Sequence, residues 1–286
     1  MLKHRLVFGT LMTLFFTAVV IFDSWLDGSL TASVADDKHL QATILCILIA
    51  LLVIPANLEL AKLATAKNLK IFTPLSTVLS ILFATAWYWP QLIEISPRFY
   101  ISFLSAFSLL ALLLYQYIRY GNQAILVNCG VNFFSIVYLG LLSSFCVALR
   151  IDFGPWPLLM FIFAVKAADI GAYTFGKLFG KHKFAPIISP GKTWEGMVGA
   201  IVTATIVAIL LATMCGIMVW QLALIFGCCS AFIGQIGDLV ESMIKRDAQQ
   251  KDSANNVPGF GGVLDVVDSP LFAAPFAYLF FMLSSQ

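Results

Sequence analysis

Between Gly237 and Ser269 the chain reads GDLVESMIKRDAQQKDSANNVPGFGGVLDVVDS, a stretch holding six acidic and three basic residues. Asp238, Glu241 and Lys245 recur at helical spacing, as do Ser242 and Arg246, which places them on the charged end of one helix. Asn255, Asn256, Pro258 and Gly259 would end that helix. Gly261-Gly262 then frees the backbone for close approach to a ligand, and its N–H groups suit phosphate oxygens. Asp265 and Asp268 flank the start of the next helix, where Ser269-Pro270 reads as N-cap and N1. Asp268 taken alone also has a plain explanation as a favourable charge near a helix N-terminus. Several carboxylates beside several cations suit phosphate chemistry assisted by a divalent metal. Mg²⁺ in particular takes one or two carboxylates and completes its shell with water and substrate phosphates.

A second group precedes this stretch. Lys166 and Asp169 lie three apart on one face of an apolar helix, where charge is expensive and usually faces a polar cavity or a partner. They read either as a self-neutralising pair that stabilises the bundle or as part of a site. Gly171, Gly176 and Gly180 permit close helix approach just beyond them. The loop KLFGKHKFAPIISPGKTWEG follows, gathering Lys177, Lys181, Lys183 and Lys192 within sixteen residues. Gly191-Lys192-Thr193 is not a Walker A motif, because that pattern needs glycine where Pro186 stands. What remains is a turn of Ser189, Pro190 and Gly191 presenting Lys192 as a point charge for phosphate, with Thr193 as N-cap of the next helix and Glu195 in its first turn.

The elements that hold these groups must be membrane helices. Apolar residues make up 60% of the chain and charged residues only 11%, with a mean hydropathy of +0.92. Soluble domains carry roughly 25% charged residues. Nine apolar runs are bounded by charge or Pro/Gly: Leu6–Phe22, Leu40–Leu60, Ile71–Trp89, Phe99–Ile118, Ala124–Leu149, Leu158–Phe175, Met197–Trp220, Leu222–Ile236 and Pro270–Leu283. The expected fold is all-α, polytopic, with about nine transmembrane helices. It forms a single domain over 1–286, with N-terminal helices in 1–150 and the chemistry in 151–286. Alternate loops starting at the N-terminus collect thirteen of the 17 lysines and arginines, the other loops hold Lys38, Arg98 and Arg150, and Lys166 lies inside a helix. The positive-inside rule then puts the N-terminus and both polar loops in the cytoplasm and the C-terminus outside. The segment Lys3-His4-Arg5 with its apolar run and Ser33-Val34-Ala35 also fits a cleaved secretory signal. Asp23, Asp27, Asp36 and Asp37 read as a solvated external turn, Trp87 to Trp89 as an interfacial belt, and the six cysteines as small buried hydrophobes.

Two blocks resemble the phosphatidate cytidylyltransferases, also called CDP-diacylglycerol synthases. One is D-x-G-A-Y-x-x-G-x-x-x-G followed by S-P-G-K-T-x-E-G, present as Asp169, Gly171, Ala172, Tyr173, Gly176, Gly180 and Ser189 to Gly196. The other is S-x-x-K-R-x-x-x-x-K-D-S followed by P-G-H-G-G-x-x-D-R-x-D, present as Ser242, Lys245, Arg246, Lys251, Asp252, Ser253, Pro258, Gly259, Gly261, Gly262, Asp265 and Asp268. Phe260 stands where the signature has histidine and Val266 where it has arginine, so no role is carried onto either. The resemblance implies transfer of a cytidylyl group from CTP to phosphatidate, giving CDP-diacylglycerol and pyrophosphate. It implies a site on the cytoplasmic side of the inner membrane, a homodimer and no nucleic-acid partner. The site that fits has Asp238, Lys245, Arg246, Asp265 and Asp268 as catalytic groups. Lys192, Ser189, Lys251, Ser242, Gly261 and Gly262 would bind substrate phosphate, and Asp238, Asp265, Asp268 and Asp169 would hold Mg²⁺. Two other readings stand beside it: a CTP-dependent kinase acting on a polyprenol-type lipid, which would release CDP, and a polytopic transporter built around Lys166 and Asp169.

Overall fold

The computed structural model describes residues 2–30, 38–254 and 261–284. They form a helical bundle in the order α1 (Leu2–Asp27), α2 (Thr43–Ala66), α3 (Thr73–Ala84), α4 (Trp89–Ile93), α5 (Pro97–Tyr120), α6 (Ile125–Ser135), a π-turn (Ile136–Leu141), α7 (Leu142–Phe153) and α8 (Pro155–Phe179). A hairpin of β1 (Lys183–Ala185) and β2 (Ser189–Thr193) leads into α9 (Trp194–Met214), α10 (Trp220–Asp247) and α11 (Leu264–Ser284). Lys183 faces Thr193 and Ala185 faces Ser189 across the antiparallel pair. α6, the π-turn and α7 run on without a break, and eight helices among the described residues are long and apolar enough to cross a membrane. This is a multi-pass membrane protein.

One of the nine expected runs takes a different form. Ile71–Trp89 yields the 12-residue α3, which rises only about 18 Å against a hydrocarbon core of about 30 Å. Thr85 turns its hydroxyl back onto the Ile81 carbonyl at 2.8 Å, and Pro90 lacks the N–H that a continuous helix would need, so the chain restarts as the five-residue α4. Gln91 exchanges bonds of 2.9 and 3.3 Å with the backbone of Gln41, at the start of α2, whereas α3 begins near the end of α2. The pair α3–α4 therefore runs back along α2 in two pieces.

The acidic turn also differs from its reading as a solvated loop, for the two of its aspartates that are described. Asp23 and Asp27 are 2% and 5% exposed and close on Arg150, which is fully buried at the end of α7. Arg150 Nη2 lies 2.8 Å from Asp27 Oδ2 and 2.7 Å from Ser29 Oγ, and its Nε lies 3.6 Å from Asp23. A carboxylate pair so far from water needs such a partner, and a sequence scan does not join residues 123 positions apart. The suggested cleavage residues Ser33 to Ala35 lie outside the described residues.

Around the polar centre, α8, α9 and α10 pack closely because small residues face one another. Ala200, Ala204, Ala208 and Ala212 form a buried stripe along α9. At Gly171 a side chain would collide with Thr203 and with the backbone of Gly199, so only glycine admits this approach. Of the two places in Met197–Ile236 that suggest a turn, Cys215-Gly216 and Trp220-Gln221, the chain turns at the first (Gly216 φ +63°), and Trp220 already opens α10. α10 then runs on past Ile236 as a charged helix and stops at Asp247, with Gln249 in a left-handed conformation. That end comes well before Asn255, Asn256, Pro258 and Gly259, which are outside the described residues.

Candidate active site

Four elements meet at the polar centre: α8 brings Lys166 and Asp169, the hairpin Lys192, α10 the run from Gln235 to Lys245, and α11 Asp265 and Asp268. The hairpin is anchored at its base, where it joins α9, by His182, whose Nδ1 lies 2.7 Å from Glu195, and by Thr193, whose hydroxyl accepts from Gly196 N at 3.1 Å. That N-cap is the one expected from sequence. It delivers Lys192 Nζ to Asp238 Oδ2 at 2.9 Å and to the Gln235 carbonyl at 2.9 Å. Gln235 in turn donates to Asp169 Oδ1 at 3.2 Å, which links the hairpin to the intramembrane pair.

Asp238, Glu241 and Asp268 each offer an oxygen such that all three lie within 4.8 Å of one another. Glu241 and Asp268 are 1% and 4% exposed, while Asp238 is partly open. Lys245 neutralises the rear of this group, with its Nζ 2.5 Å from Glu241 and 2.5 Å from Asp265. Counting Asp169, Asp238, Glu241, Asp265 and Asp268 against Lys166, Lys192 and Lys245 gives five carboxylates to three ammonium groups. When all are ionised the balance is two negative charges, which one divalent cation offsets. The donors are hard oxygens, and Glu241 Oε1 is buried without a hydrogen-bond partner. Asp238, Glu241 and Asp268 therefore fit Mg²⁺.

Asp265 has a different environment from the one its place in the signature suggests. Its Oδ1 meets Lys245, and its Oδ2 accepts from Ser253 N at 3.2 Å, Ser253 Oγ at 2.8 Å and Gly262 N at 2.7 Å. Asp265 is thus the knot of the loop before α11. Gly262 uses its N–H on that knot, and a Cβ there would overlap Ser253 Oγ and the Glu59 carboxylate. Gly261, at φ +106°, needs glycine for its backbone.

Glu59 is the residue that sequence reading passed over. It reaches from α2, in the half assigned no chemistry, and is 1% exposed. Its Oε1 accepts from Val263 N at 3.0 Å, and its Oε2 from Leu264 N at 2.9 Å and Ser253 Oγ at 3.0 Å. Glu59 caps α11 from another helix and holds the same loop as Asp265. Its one sequence signal was a carboxylate inside an apolar run.

The other expected groups are spread around this centre. Ser242 Oγ lies 3.4 Å from Asp238. Arg246 is exposed and bonds the carbonyls of Ile188 and Gln250, bracing the hairpin and not the carboxylates. Ser189 sits in the hairpin ladder opposite Ala185, and Lys251 is exposed just past α10. Phe260 lies outside the described residues, while Val266 sits in the first turn of α11 and its carbonyl accepts from Lys166 at 2.8 Å.

Comparison with known proteins adds an independent line. A model of the Cytidylyltransferase family matches residues 3–284. The chain is 34% identical over 221 residues to the phosphatidate cytidylyltransferase of Staphylococcus haemolyticus, spanning 77% of this chain and 80% of that protein. It is 37% identical over 187 residues to the phosphatidate cytidylyltransferase of Bacillus subtilis, spanning 64% and 68%. To the phosphatidate cytidylyltransferase of Haemophilus influenzae it is 44% identical over 131 residues, spanning 43% and 46%.

Proposed function

The chain belongs to the cytidylyltransferase family, and on that premise we propose that it is a phosphatidate cytidylyltransferase, converting CTP and phosphatidate to CDP-diacylglycerol and pyrophosphate. An oxygen of the phosphatidate phosphate attacks the α-phosphorus of CTP, and the bond from that phosphorus to the oxygen bridging it to the β-phosphate breaks. That oxygen leaves with its electron pair on pyrophosphate. The nucleophile is already anionic, so no strong protein base is required, and the barrier lies in bringing two polyanions together.

The observation that carries this reading is the convergence of Asp238, Glu241 and Asp268 within 4.8 Å, beside Lys192 held 2.9 Å from Asp238. Those three carboxylates would hold Mg²⁺, with Asp169 beside them. When bound, the ion supplies charge neutralisation and orientation for the phosphates. Lys192 and Lys245 offer cationic contacts to substrate phosphate, and Asp265 with Glu59 keeps the loop that frames them in place. One chain supplies every group of this cluster, so the reading needs no second copy.

The basic loops set the sidedness of this reading: the hairpin and the Gly237–Ser269 stretch face the cytoplasm, whence CTP arrives, and phosphatidate enters sideways from the bilayer. With α3–α4 counted as one passage, the N-terminus is cytoplasmic and the C-terminus outside. In a bacterial cell this is the inner membrane. The test is turnover by protein purified in detergent with CTP, Mg²⁺ and phosphatidate, following CDP-diacylglycerol and pyrophosphate together. Release of CDP in place of pyrophosphate would convert the reading to a lipid kinase, and no CTP turnover at all would end it.

A further inference from the structure

Lys166 is the most open of the three lysines in the cluster. Its side chain is 32% exposed, against 13% for Lys192 and 11% for Lys245. It is also the most loosely held. Lys245 sits at 2.5 Å from two carboxylates and Lys192 at 2.9 Å from one, whereas Lys166 lies 3.5 Å from Asp169 and makes its one short bond, 2.8 Å, to the carbonyl of Val266. An ammonium has three donors, so this one retains capacity for an incoming oxygen.

A lysine in the middle of α8 needs a reason. Residue 166 lies about 17 Å along the axis from Pro155 and about 20 Å from Phe179, further than its side chain extends toward either end. It does not reach an interface as helix-end lysines do, so it faces the polar interior, where a cation is costly unless it meets an anion. The backbone it touches belongs to residue 266, where the signature described above carries arginine and this chain has valine.

We propose that Lys166 is a substrate-binding residue that supplies from α8 the positive charge the signature places at position 266, and that it meets a phosphate oxygen of one of the two substrates. The inference rests on the cytidylyltransferase reading. A cation relocated in this way keeps the charge of the site while changing the element that bears it.

The test compares wild type, Lys166→Met, Lys166→Arg and Lys166→Met/Val266→Arg as full-length proteins in detergent, each checked for a monodisperse profile and a thermal unfolding midpoint. Steady-state rates are measured with CTP and phosphatidate varied in turn. Lys166→Met should lower kcat/KM at least tenfold, Lys166→Arg should stay within a few-fold of wild type, and the double variant should recover most of the loss. A rise in KM confined to phosphatidate assigns the lipid phosphate, and one confined to CTP assigns the nucleotide. A folded Lys166→Met with unchanged rates overturns the inference, as does a double variant no better than Lys166→Met. If Lys166→Met does not fold, Lys166→Arg decides: a tenfold loss in that folded variant overturns it, and near wild-type rates support it. No turnover by the wild-type chain would instead sink the cytidylyltransferase reading and this inference with it.

Discussion

Replacing Glu59 by glutamine tests whether α2 takes part in the chemistry of the other half. Among the described residues the carboxylate accepts from Val263 N, Leu264 N and Ser253 Oγ, at 2.9–3.0 Å, in a place only 1% exposed. Glutamine keeps the shape but turns one acceptor into a donor, so at least one backbone N–H of the α11 start loses its partner. Leaving a buried donor unsatisfied costs about 1–3 kcal/mol. Taking about 2 kcal/mol, the population in which Glu59 holds residues 263–264 falls relative to open forms by a factor of roughly 30. Asp265 shares Ser253 with Glu59, so that disorder reaches Lys245 and the carboxylates beyond it. The expected result is a 10- to 30-fold fall in kcat by the pyrophosphate-release assay, with expression and monodispersity retained. Gly262→Ala, which thrusts a methyl group into the same carboxylate, should fall at least as far. The two changes together should cost less than the sum of their separate effects, because both break one contact. Glu59→Gln within twofold of wild type, or strictly additive effects, would refute the placement of Glu59 as the brace of this loop.

Three further outcomes follow from the same geometry. Asp238→Asn and Asp268→Asn should each reduce turnover by more than about 100-fold and raise the Mg²⁺ concentration needed for half-maximal rate. Asp265→Asn should lower kcat at least tenfold while the Mg²⁺ concentration for half-maximal rate stays near wild type; a large shift there would return Asp265 to the metal ligands. Arg150→Met strands Asp23 and Asp27 without their cation and should cost about 3–5 kcal/mol, seen as a lower unfolding midpoint in detergent, while the folded fraction keeps its specific activity. Chelation with EDTA should stop turnover reversibly, and Mg²⁺ should restore it; activity that survives exhaustive chelation would count against Asp238, Glu241 and Asp268 as a metal site.

Hydropathy alone located every long helix, because a helix crossing lipid must be apolar along its length and charge marks its ends. It could not locate the interruption after Ala84, since Thr85 is one of several hydroxyl residues inside the run Ile71–Trp89 and Pro90 only closes it. In the same way the motif spacing brought forward Asp238, Lys192 and Asp268, which the fold gathers together. It did not separate Asp265, which ties a loop, from Glu241, which faces Asp238 and Asp268. Both are acids near a helix end, and only their partners distinguish them. Glu59 and the Asp23–Arg150–Asp27 contacts were illegible for a related reason: Glu59 lies 194 positions from Ser253 and 205 from Leu264, and Arg150 lies 123 from Asp27. A solitary acid near the end of an apolar helix looks interfacial until the partner helix is in place.

The contact between Arg150 and Asp27 spans 123 residues, which gives it a meaning during synthesis. At about 5–20 residues per second, roughly 6–25 s separate the emergence of the two side chains from the ribosome. For that interval Asp23 and Asp27 have their backbone partners at Ile44 and Ala42 but not the guanidinium of Arg150, which arrives with α7. The ion pair therefore closes only once α7 is in place, and mistimed delivery of α7 would leave two buried carboxylates uncompensated before the distant catalytic face was built.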